Sequence, residues 1–523
     1  INYLTTSKVC ELNNKTKLWS PSGDFVQHED CFYMDILERI YNPCAVEHNL
    51  ARIMEHASKI LIMGRSDVNA TDITQGLDVR DWLPLNQIVR TVIPRSGVGN
   101  LNCAGQVLNL CQQHMTAWKA LVLGPTSLDL MSCNPKEVAN ITELLVFVSR
   151  AGASDYGKYV VVRVKDSIGC IVTLLTPMYK TLPGSPCEII AQRLPNFHNV
   201  SLSQSCQLTC NARAGAVGGI LALRATKLTV DSTSKIDVNG KGYRGGAAGS
   251  TSGGGGYGGE TFACLASTYG KGGNYNQPGR EGGGAGDGST GGPGGLNAGG
   301  GGGDSNTNSD DGAGGGGGGG HFSGGGGGGA GTGCNGQNGG TGGTASTTIN
   351  SYAGGGGTCG CPAGNGGNGG SSGGNHGNNV RGGKGGLGSC SAIYGGSGGG
   401  GGFQYGNLDF HNRLSYGGGG GGGGGSAFGN AGGRGGHGGG LVLLFVDKMT
   451  LNGKIEAKGE NGQCPPVKAN HRGASGGSGA GGSVVIFTKE LVGSVSGKIY
   501  VQGGTPPSDS VCGRGSGSGM NNT

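Results

Sequence analysis

The sequence predicts an α+β N-terminal domain followed by a scaffold of β-repeats that carries a large polyglycine-II-type, glycine-rich insertion. Three observations lead to this fold class: mixed apolar patterns near the N-terminus, a strand motif that occurs three times, and one region dominated by glycine. Glycine accounts for 124 of the 523 residues, and 92 of these glycines lie between Lys241 and Gly440. The predicted domain boundaries are 1–210, 211–240, 241–440 and 441–523.

The N-terminal region has the composition of an ordinary folded domain. Some segments have apolar residues at three- and four-residue intervals, a spacing that predicts amphipathic helices. These segments are 32–41, 49–61 and 107–121. Later segments are short and rich in β-branched residues, which favours strands. The strand segments are 144–148, 159–164 and 170–175. Residues 1–210 are therefore predicted to form an α+β domain stapled by disulfides.

A strand motif recurs on both sides of the glycine-rich region. Its copies begin at Gly219, Gly440 and Gly482, and each runs through apolar residues to a second strand with the pattern Lys-Ile-x-(Val/Ala)-x-Gly. One such unit cannot bury its apolar face alone, whereas stacked copies can. Two architectures fit the repeat: successive rungs of a parallel β-helix, or strands of one sheet. In both, the repeats hold the two ends of the glycine-rich region.

The glycine-rich body, residues 241–440, has no Gly-X-Y period, which excludes collagen. A flexible segment is one interpretation, because glycine loses the most conformational freedom on ordering. The other is a packed array of polyproline-II-type helices, because chains without Cβ atoms can approach closely and bond laterally. Glycine tracts of similar length, polar segments between them and five cysteines within the body favour the ordered array.

Seventeen cysteines are dispersed over the chain without the paired spacing of a zinc site. Dispersed cysteines are typical of disulfides formed in an oxidising compartment, and the odd number leaves one thiol free or bonded to another chain. The disulfide candidates are Cys10, Cys31, Cys44, Cys103, Cys111, Cys133, Cys170, Cys187, Cys206, Cys210, Cys264, Cys334, Cys359, Cys361, Cys390, Cys464 and Cys512.

Two further features indicate an extracellular or cell-surface protein. The first residue is Ile1 rather than Met, as expected after removal of a signal peptide. Five sequons occur, four of them before residue 211 and none in the glycine-rich body, so attached glycans are expected. The glycosylation candidates are Asn14, Asn69, Asn140, Asn199 and Asn521.

Charge and hydropathy argue against two classes of partner. The net charge is +6, no run of Lys and Arg reaches five residues, and Arg-Gly-Gly triplets occur only at Arg244, Arg381 and Arg434. This pattern is too sparse for nucleic-acid binding. The longest apolar run, residues 441–446, has the length of a strand and is too short to span a bilayer. We expect neither a nucleic-acid partner nor a membrane span.

The sequence predicts no enzyme, cofactor or metal site. Ten histidines are spread without the spacing of a catalytic triad, and Gly-Lys pairs lack the following Ser or Thr of a phosphate-binding loop. Residues 304–310 alternate oxygen ligands like the start of a calcium loop. However, Ser309 replaces the required glycine, and Gly315 stands where a bidentate Glu is needed.

Residues 218–504 resemble extracellular glycine-rich proteins with β-helix-like repeats and polyglycine-II bundles, such as the glycine-rich domain of the anaplastic lymphoma kinase family and certain phage tail adhesins. The resemblance is one of pattern, so no ligand-binding residue carries over. The favoured function is an extracellular structural protein that self-associates into a filament, matrix or surface layer. The alternative is an adhesin or receptor-ectodomain module, with the aromatic-rich segment 403–416 as its binding loop. An enzyme within residues 1–210 is the least favoured function.

Overall fold

The computed structural model describes four short N-terminal segments and much of the chain from residue 99 onward. The described residues are 2–4, 9–11, 31–33, 61–63, 99–139, 141–151, 156–175, 178, 188–214, 217–249, 256–260, 262, 299, 413–424, 431–465, 475–493 and 498–505. The chain divides into a small unit, Ile1–Ile60 with Asn69–Leu77, and a large unit, Leu61–Val68 with Asp78–Thr523.

The small unit contains a three-stranded antiparallel sheet. Its strands are β1 (Asn2–Leu4), β2 (Val9–Glu11) and β3 (Cys31–Tyr33), and β1 is the central strand.

The large unit is built almost entirely of strands. Across all described residues, 49% lie in strands and 3% in helices. The elements of the large unit are β4 (Leu61–Met63), β5 (Asn100–Ala104), β6 (Val107–Asn109), α1 (Leu110–Gln113), β7 (Ala117–Gly124), β8 (Ser127–Met131), α2 (Pro135–Val138), β9 (Glu143–Arg150), β10 (Tyr159–Ile168), β11 (Ile171–Leu174), β12 (Glu188–Arg193), β13 (Asn196–Ser203), β14 (Gln207–Thr209), β15 (Ile220–Val230), β16 (Lys235–Asp237), β17 (Leu441–Leu451), β18 (Lys454–Glu456), β19 (Ser483–Val492) and β20 (Ile499–Tyr500).

Two parallel sheets form the scaffold of the large unit. The first has the order β4-β19-β17-β15-β13-β5 and the second the order β20-β18-β16-β14-β6. Successive rungs each give one strand to the first sheet and one to the second: β5 and β6, β13 and β14, β15 and β16, β17 and β18, and β19 and β20. Neighbouring rungs pair in parallel in both sheets, which is the arrangement of a parallel β-helix. β4 pairs antiparallel with β19 at one edge.

The three sequence repeats occupy adjacent rungs in matching register. In the first sheet Ile220 pairs with Leu441, and Leu441 pairs with Ser483, so the glycines before these residues are aligned. In the second sheet Ile236 pairs with Ile455, which aligns the Lys-Ile motifs. Equivalent positions of the three sequence repeats are therefore stacked on one another in the β-helix.

The core lies between the two sheets and is made of the same apolar positions in each rung. Burying one such Leu, Ile or Val contributes roughly 1.5–3 kcal/mol, so repetition of the motif builds a continuous core. Fully buried core residues contributed by the repeats include Leu221, Leu223, Leu228, Ile236, Val442, Leu444, Met449, Ile455, Val484 and Ile486.

Two insertions interrupt the β-helix. Between the first and second rungs, antiparallel strands close into a barrel with the order β10-β11-β8-β7-β12-β9. Between the third and fourth rungs lies the glycine-rich body, and chain segments after residue 440 also join its described part.

The described glycine segments form a lateral array of extended chains. Backbone N–H groups of every third residue donate to the same neighbouring chain, which is the three-residue period of a polyproline-II-type helix. Between two of the chains the donor–acceptor pairs are Gly417–Gly439, Gly420–Gly436 and Gly423–Gly433, at 2.9–3.0 Å. The chains of the array are 242–249, 256–260, 417–424, 432–439, 457–463 and 476–482, together with Gly299.

The all-glycine chain 417–424 is bonded on several sides. It exchanges backbone hydrogen bonds with chains 242–249, 256–260, 432–439 and 476–482, and it accepts one from Gly299. Cβ atoms built at four of its positions would lie 1.9–2.1 Å from backbone oxygens of those chains, so no side chain fits. These positions are Gly417, Gly419, Gly420 and Gly422.

In the neighbouring chain 432–439, too, the positions packed most closely against other chains are glycine, but one side of this chain is less enclosed. Its third residues are Arg434, which is exposed, and His437, which is half-buried, while the glycine pairs between them are buried. A threefold helix turns every third residue to the same side. Side chains therefore occur at one position in three, and the His437 side chain contacts chain 242–249, where its Nδ1 accepts a hydrogen bond from the Gly245 N–H at 3.0 Å.

The α+β class predicted for residues 1–210 is wrong, because the described part of this range consists of the three-stranded sheet, strands of the β-helix and the barrel, with only two one-turn helices. The helix predicted over 107–121 is β6, α1 and the start of β7. Leu108, Leu110 and Met115 are buried there, so the apolar spacing comes from a strand, a turn and a second strand entering the core.

The other segments predicted as strands or helices coincide wholly or partly with strands of the structure. The predicted strands 144–148, 159–164 and 170–175 are confirmed by β9, β10 and β11. The predicted helices 32–41 and 49–61 begin and end, respectively, in strands β3 and β4, and the rest of both lies outside the described residues.

Candidate functional site: an apolar face on the barrel

The barrel is attached to the β-helix through β9, which is buried on both of its faces. Glu143 of β9 accepts a hydrogen bond from Nε of Arg224 in β15 at 2.6 Å, and both side chains are at most 5% exposed. The Arg224 guanidinium also lies over the Phe445 ring, 4.7 Å from its centre. Because a buried charge without a partner is strongly destabilising, this pair fixes the position of β9 on the first sheet.

A second buried cluster joins the barrel to the glycine array. Arg213 is fully buried and donates to Glu188 of β12 at 2.6 Å, and its Nε lies 3.5 Å from Glu260 of the array. Arg150 of β9 also pairs with Glu260. The Arg213 guanidinium lies 5.1 Å from the centre of the Tyr243 ring, a cation–π distance.

The charges of this cluster stabilise one another. Burial alone would raise the pKa of Glu260, but Arg213, Arg150 and Arg244 hold it below its usual value. Burial likewise opposes the charge of Arg213, and Glu260 raises the pKa of Arg213 above its usual value. Both groups therefore remain charged at neutral pH. We call the cluster of Arg213, Arg150, Glu188, Glu260 and Tyr243 the buried joint, because it connects the barrel to the glycine array.

Tyr416, in the segment predicted as a binding loop, is part of this joint. Its hydroxyl donates to the Gly218 carbonyl at 2.8 Å, and its ring packs edge-on against Phe147 and Tyr243. The side chain is fully buried, so the prediction that Tyr416 faces a partner is wrong. Residues 403–412 of that segment lie outside the described residues.

The opposite side of the barrel carries an exposed apolar face. In the closed strand order β8 is three strands from β9 in either direction, so the region around β8 points away from the β-helix. Six large apolar side chains on or beside β7, β8, β10 and β11 are 46–81% exposed. They define the apolar face and are Leu121, Leu123, Met131, Ile168, Ile171 and Leu175.

Strand pairing sets the members of this face close together, with Asp129 between two of them. Leu121 pairs with Asp129, Asp129 with Ile171, and Ile171 with Ile168, which places one row of side chains across four strands. The alternate residues of β8 and β11 point inward and are buried. Outward positions of a strand are normally polar, and a contiguous exposed apolar patch marks an interaction site.

A disulfide and a charged rim border the apolar face. Cys133 and Cys170 form a disulfide, and the nearby Leu130 N–H donates to the Cys170 carbonyl at 2.9 Å. This cross-link holds the ends of β8 and β11 together. Lys119, which is exposed, pairs with Met131 and adds a charge at one border of the face.

The cysteine candidates divide into four groups. Cys103–Cys206 and Cys133–Cys170 are disulfides, Cys464 is also disulfide-bonded, and Cys111 and Cys210 are thiols. Cys10 and Cys31 lie in β2 and β3. Outside the described residues lie Cys44, Cys187, Cys264, Cys334, Cys359, Cys361, Cys390 and Cys512. The observed disulfides are typical of an oxidising compartment.

One glycosylation candidate has a described position. Asn199 lies in β13, and its side-chain amide donates to the side-chain oxygen of Asn100 at 3.2 Å. Asn14, Asn69, Asn140 and Asn521 lie outside the described residues.

No group of three His, Cys, Asp or Glu side chains within the described ranges could hold a metal ion. No helix in that part of the chain has both the length and the apolarity needed to cross a membrane. The calcium-like segment 304–310 falls outside it.

Comparisons with protein-family models, with curated proteins and with solved structures found no match to this chain. The resemblance to glycine-rich proteins with polyglycine-II bundles therefore stays a prediction. Sequence reasoning missed the apolar face, because Leu121 fell inside a segment predicted as a helix. The sequence of β7 gives no period-two signal there, because Leu121, Val122 and Leu123 are all apolar.

Proposed function

We propose that this protein is an extracellular structural protein that self-associates through the apolar face of its barrel. The observation that supports this most directly is the position of the face, on the side of the barrel opposite to β9. The β-helix and the glycine array then serve as the body of the assembly, and the barrel serves as the contact domain.

The apolar face suits an interface between protein chains. Exposed apolar side chains surrounded by polar ones are what protein–protein interfaces bury at their centres. Asp129 lies in the central row beside exposed Ile171, and Lys119 lies at the border. A twofold contact that sets Lys119 of each copy against Asp129 of the other would pair these charges within the apolar interface.

The proposal is tested with a double substitution at the centre of the face. In Leu121→Lys with Ile171→Lys, two charges replace apolar contacts, and loss of central contacts typically costs 1 kcal/mol or more each. We expect the wild type to show concentration-dependent mass by sedimentation equilibrium and the double variant to dissociate roughly 30-fold or more readily.

Val492→Lys is the matched control, because Val492 is an exposed apolar residue of β19 outside the barrel. It should associate like the wild type. A wild type that is monomeric at all micromolar concentrations, or a double variant that associates as strongly as the control, would contradict the proposal.

The second candidate is an adhesin or receptor-ectodomain module. It is favoured by the same face, because the barrel is an insertion in the β-helix and can present one side to another molecule. A monomeric wild type that binds immobilised extracellular matrix or cell-surface material, with binding abolished by the double substitution and retained by Val492→Lys, would favour this second function.

A further inference from the structure

Two thiols lie in contact where the first two rungs leave the second sheet. Cys111 is in α1, directly after β6, and Cys210 directly follows β14. β6 and β14 pair in parallel with Asn109 opposite Thr209, so the two chains leave the sheet side by side. The side chains of Cys111 and Cys210 are hydrogen-bonded to each other, and neither cysteine is in a disulfide.

The backbone around this pair is held in place. The side-chain amide of Asn109 donates to the side-chain oxygen of Asn211 at 2.6 Å, and its own oxygen accepts from the Cys111 N–H at 3.0 Å. The same two rungs are already joined by Cys103–Cys206. The two rungs are therefore held side by side at the point where Cys111 and Cys210 lie.

The two thiols have different environments. Cys111 is partly exposed, and its hydrogen bond with Cys210 lowers its pKa to about 7 against the opposing effect of burial. Cys210 is buried, and its interaction with Cys111 and its burial raise its pKa. Because the thiolate is the nucleophile in exchange, Cys111 is the attacking group and Cys210 the resolving group.

We propose that Cys111 and Cys210 form a further disulfide between the first two rungs by exchange with a low-molecular-weight disulfide such as oxidised glutathione. The Cys111 thiolate attacks one sulfur of glutathione disulfide, which forms a mixed disulfide and releases one glutathione thiolate. Cys210 then loses its proton and attacks the Cys111 sulfur, which releases the second glutathione. The protein loses two electrons and two protons, and glutathione disulfide is reduced to two thiols.

The test uses the full chain in glutathione buffers of increasing oxidised fraction. Each sample is quenched with iodoacetamide, digested without reduction and analysed by mass spectrometry. We expect alkylated Cys111 and Cys210 to disappear together while a peptide pair linking them appears. The Cys103–Cys206 pair, measured in the same digest, reports that the protein is folded and oxidised throughout.

A variant that lacks the resolving cysteine tests the order of the two exchange steps. In Cys210→Ala, the mixed disulfide with glutathione should accumulate on Cys111, because the resolving thiol has been removed. Two results would overturn the inference: both cysteines remaining alkylated in buffers where Cys103–Cys206 is intact, or Cys111 linking to a different cysteine. The wild-type digest decides the question even if the variant fails to fold. Since the cross-link is intramolecular, it is independent of self-association.

Discussion

The backbone oxygen of Gly435 lies 2.0 Å from the point where a Cβ atom on Gly245 would stand. The two residues belong to adjacent chains of the glycine array, and Gly435 donates its N–H to the neighbouring Gly246 carbonyl at 2.9 Å. A contact this close with backbone cannot be relieved by a side-chain rotation. The glycine content of the array therefore follows from the distance between its chains.

Gly245→Ala should destabilise the protein by about 1–3 kcal/mol, because the added methyl group forces two chains apart. Chemical denaturation of the purified chain measures the effect. Gly124→Ala is the matched control, because nothing lies within 4 Å of a Cβ atom there, and it should change stability by about 0.5 kcal/mol or less. Equal effects of the two substitutions would mean that close packing does not explain the glycines.

Arg213→Met should destabilise the protein by about 3–5 kcal/mol, because it removes the fully buried cation that contacts both Glu188 and Glu260 and leaves the more exposed Arg150 beside them. Lys448→Met is the comparison, since Lys448 forms an exposed pair with Glu490 and its loss should cost less than about 1 kcal/mol. Thermal unfolding of both variants provides the measurement. Similar unfolding temperatures would argue against a joint based on buried charge.

Stability should fall as the pH falls through the acidic range. The pKa of Glu260 is lowered from 4.5 in the folded protein, so the unfolded chain binds a proton at a higher pH than the folded chain does. The contribution of Glu260 is therefore complete above pH 4.5 and is lost as the pH falls through its folded pKa. Unfolding temperatures of the wild type and Glu260→Gln across this range test the prediction. The variant should lose less stability on acidification, and parallel curves would contradict it.

Amides within the chain 417–424 should exchange slowly with solvent deuterium. The N–H groups of Gly417, Gly420 and Gly423 are bonded to a neighbouring chain, and these glycines are buried. Their exchange should be slowed to a degree similar to that of β17, whereas the exposed turn at Gly169 should exchange rapidly. Hydrogen exchange with mass spectrometry resolves these peptides, and fast exchange throughout 417–424 would exclude the bonded array in solution.

The repeats could be recognised from the sequence because residues at equivalent positions of the repeat are the residues that pair in the sheet. Leu228, Met449 and Leu491 lie at the same distance after their opening glycines, and the first sheet aligns them. The first two rungs escaped recognition because no Lys-Ile motif follows β5 or β13, although Gly99 directly precedes β5. Their place in the β-helix depends on the pairing of β13 with β15 and of β5 with β13, long-range contacts that no local pattern reveals.

The barrel and its apolar face were harder to predict for a different reason. A strand with apolar residues on both faces loses the alternation that distinguishes strands from helices. In β7 both buried Ala120 and exposed Leu121 are apolar, and the segment 107–121 consequently resembled a helix. The buried joint was also hidden, since Arg213, Glu188 and Glu260 are far apart in the sequence.

The three-residue period of the glycine array restricts how its tracts can change in length. Runs of one amino acid are encoded by repetitive codons, which gain or lose units easily during replication. Removing one glycine from 417–424 would rotate every later residue of that chain by a third of a turn, and its N–H groups would then point at the wrong neighbours. Gains or losses of three residues restore the phase. Length variants that fold should therefore differ by multiples of three glycines. This restriction comes from the hydrogen-bonding period of the folded array and acts on the protein, not on its coding sequence.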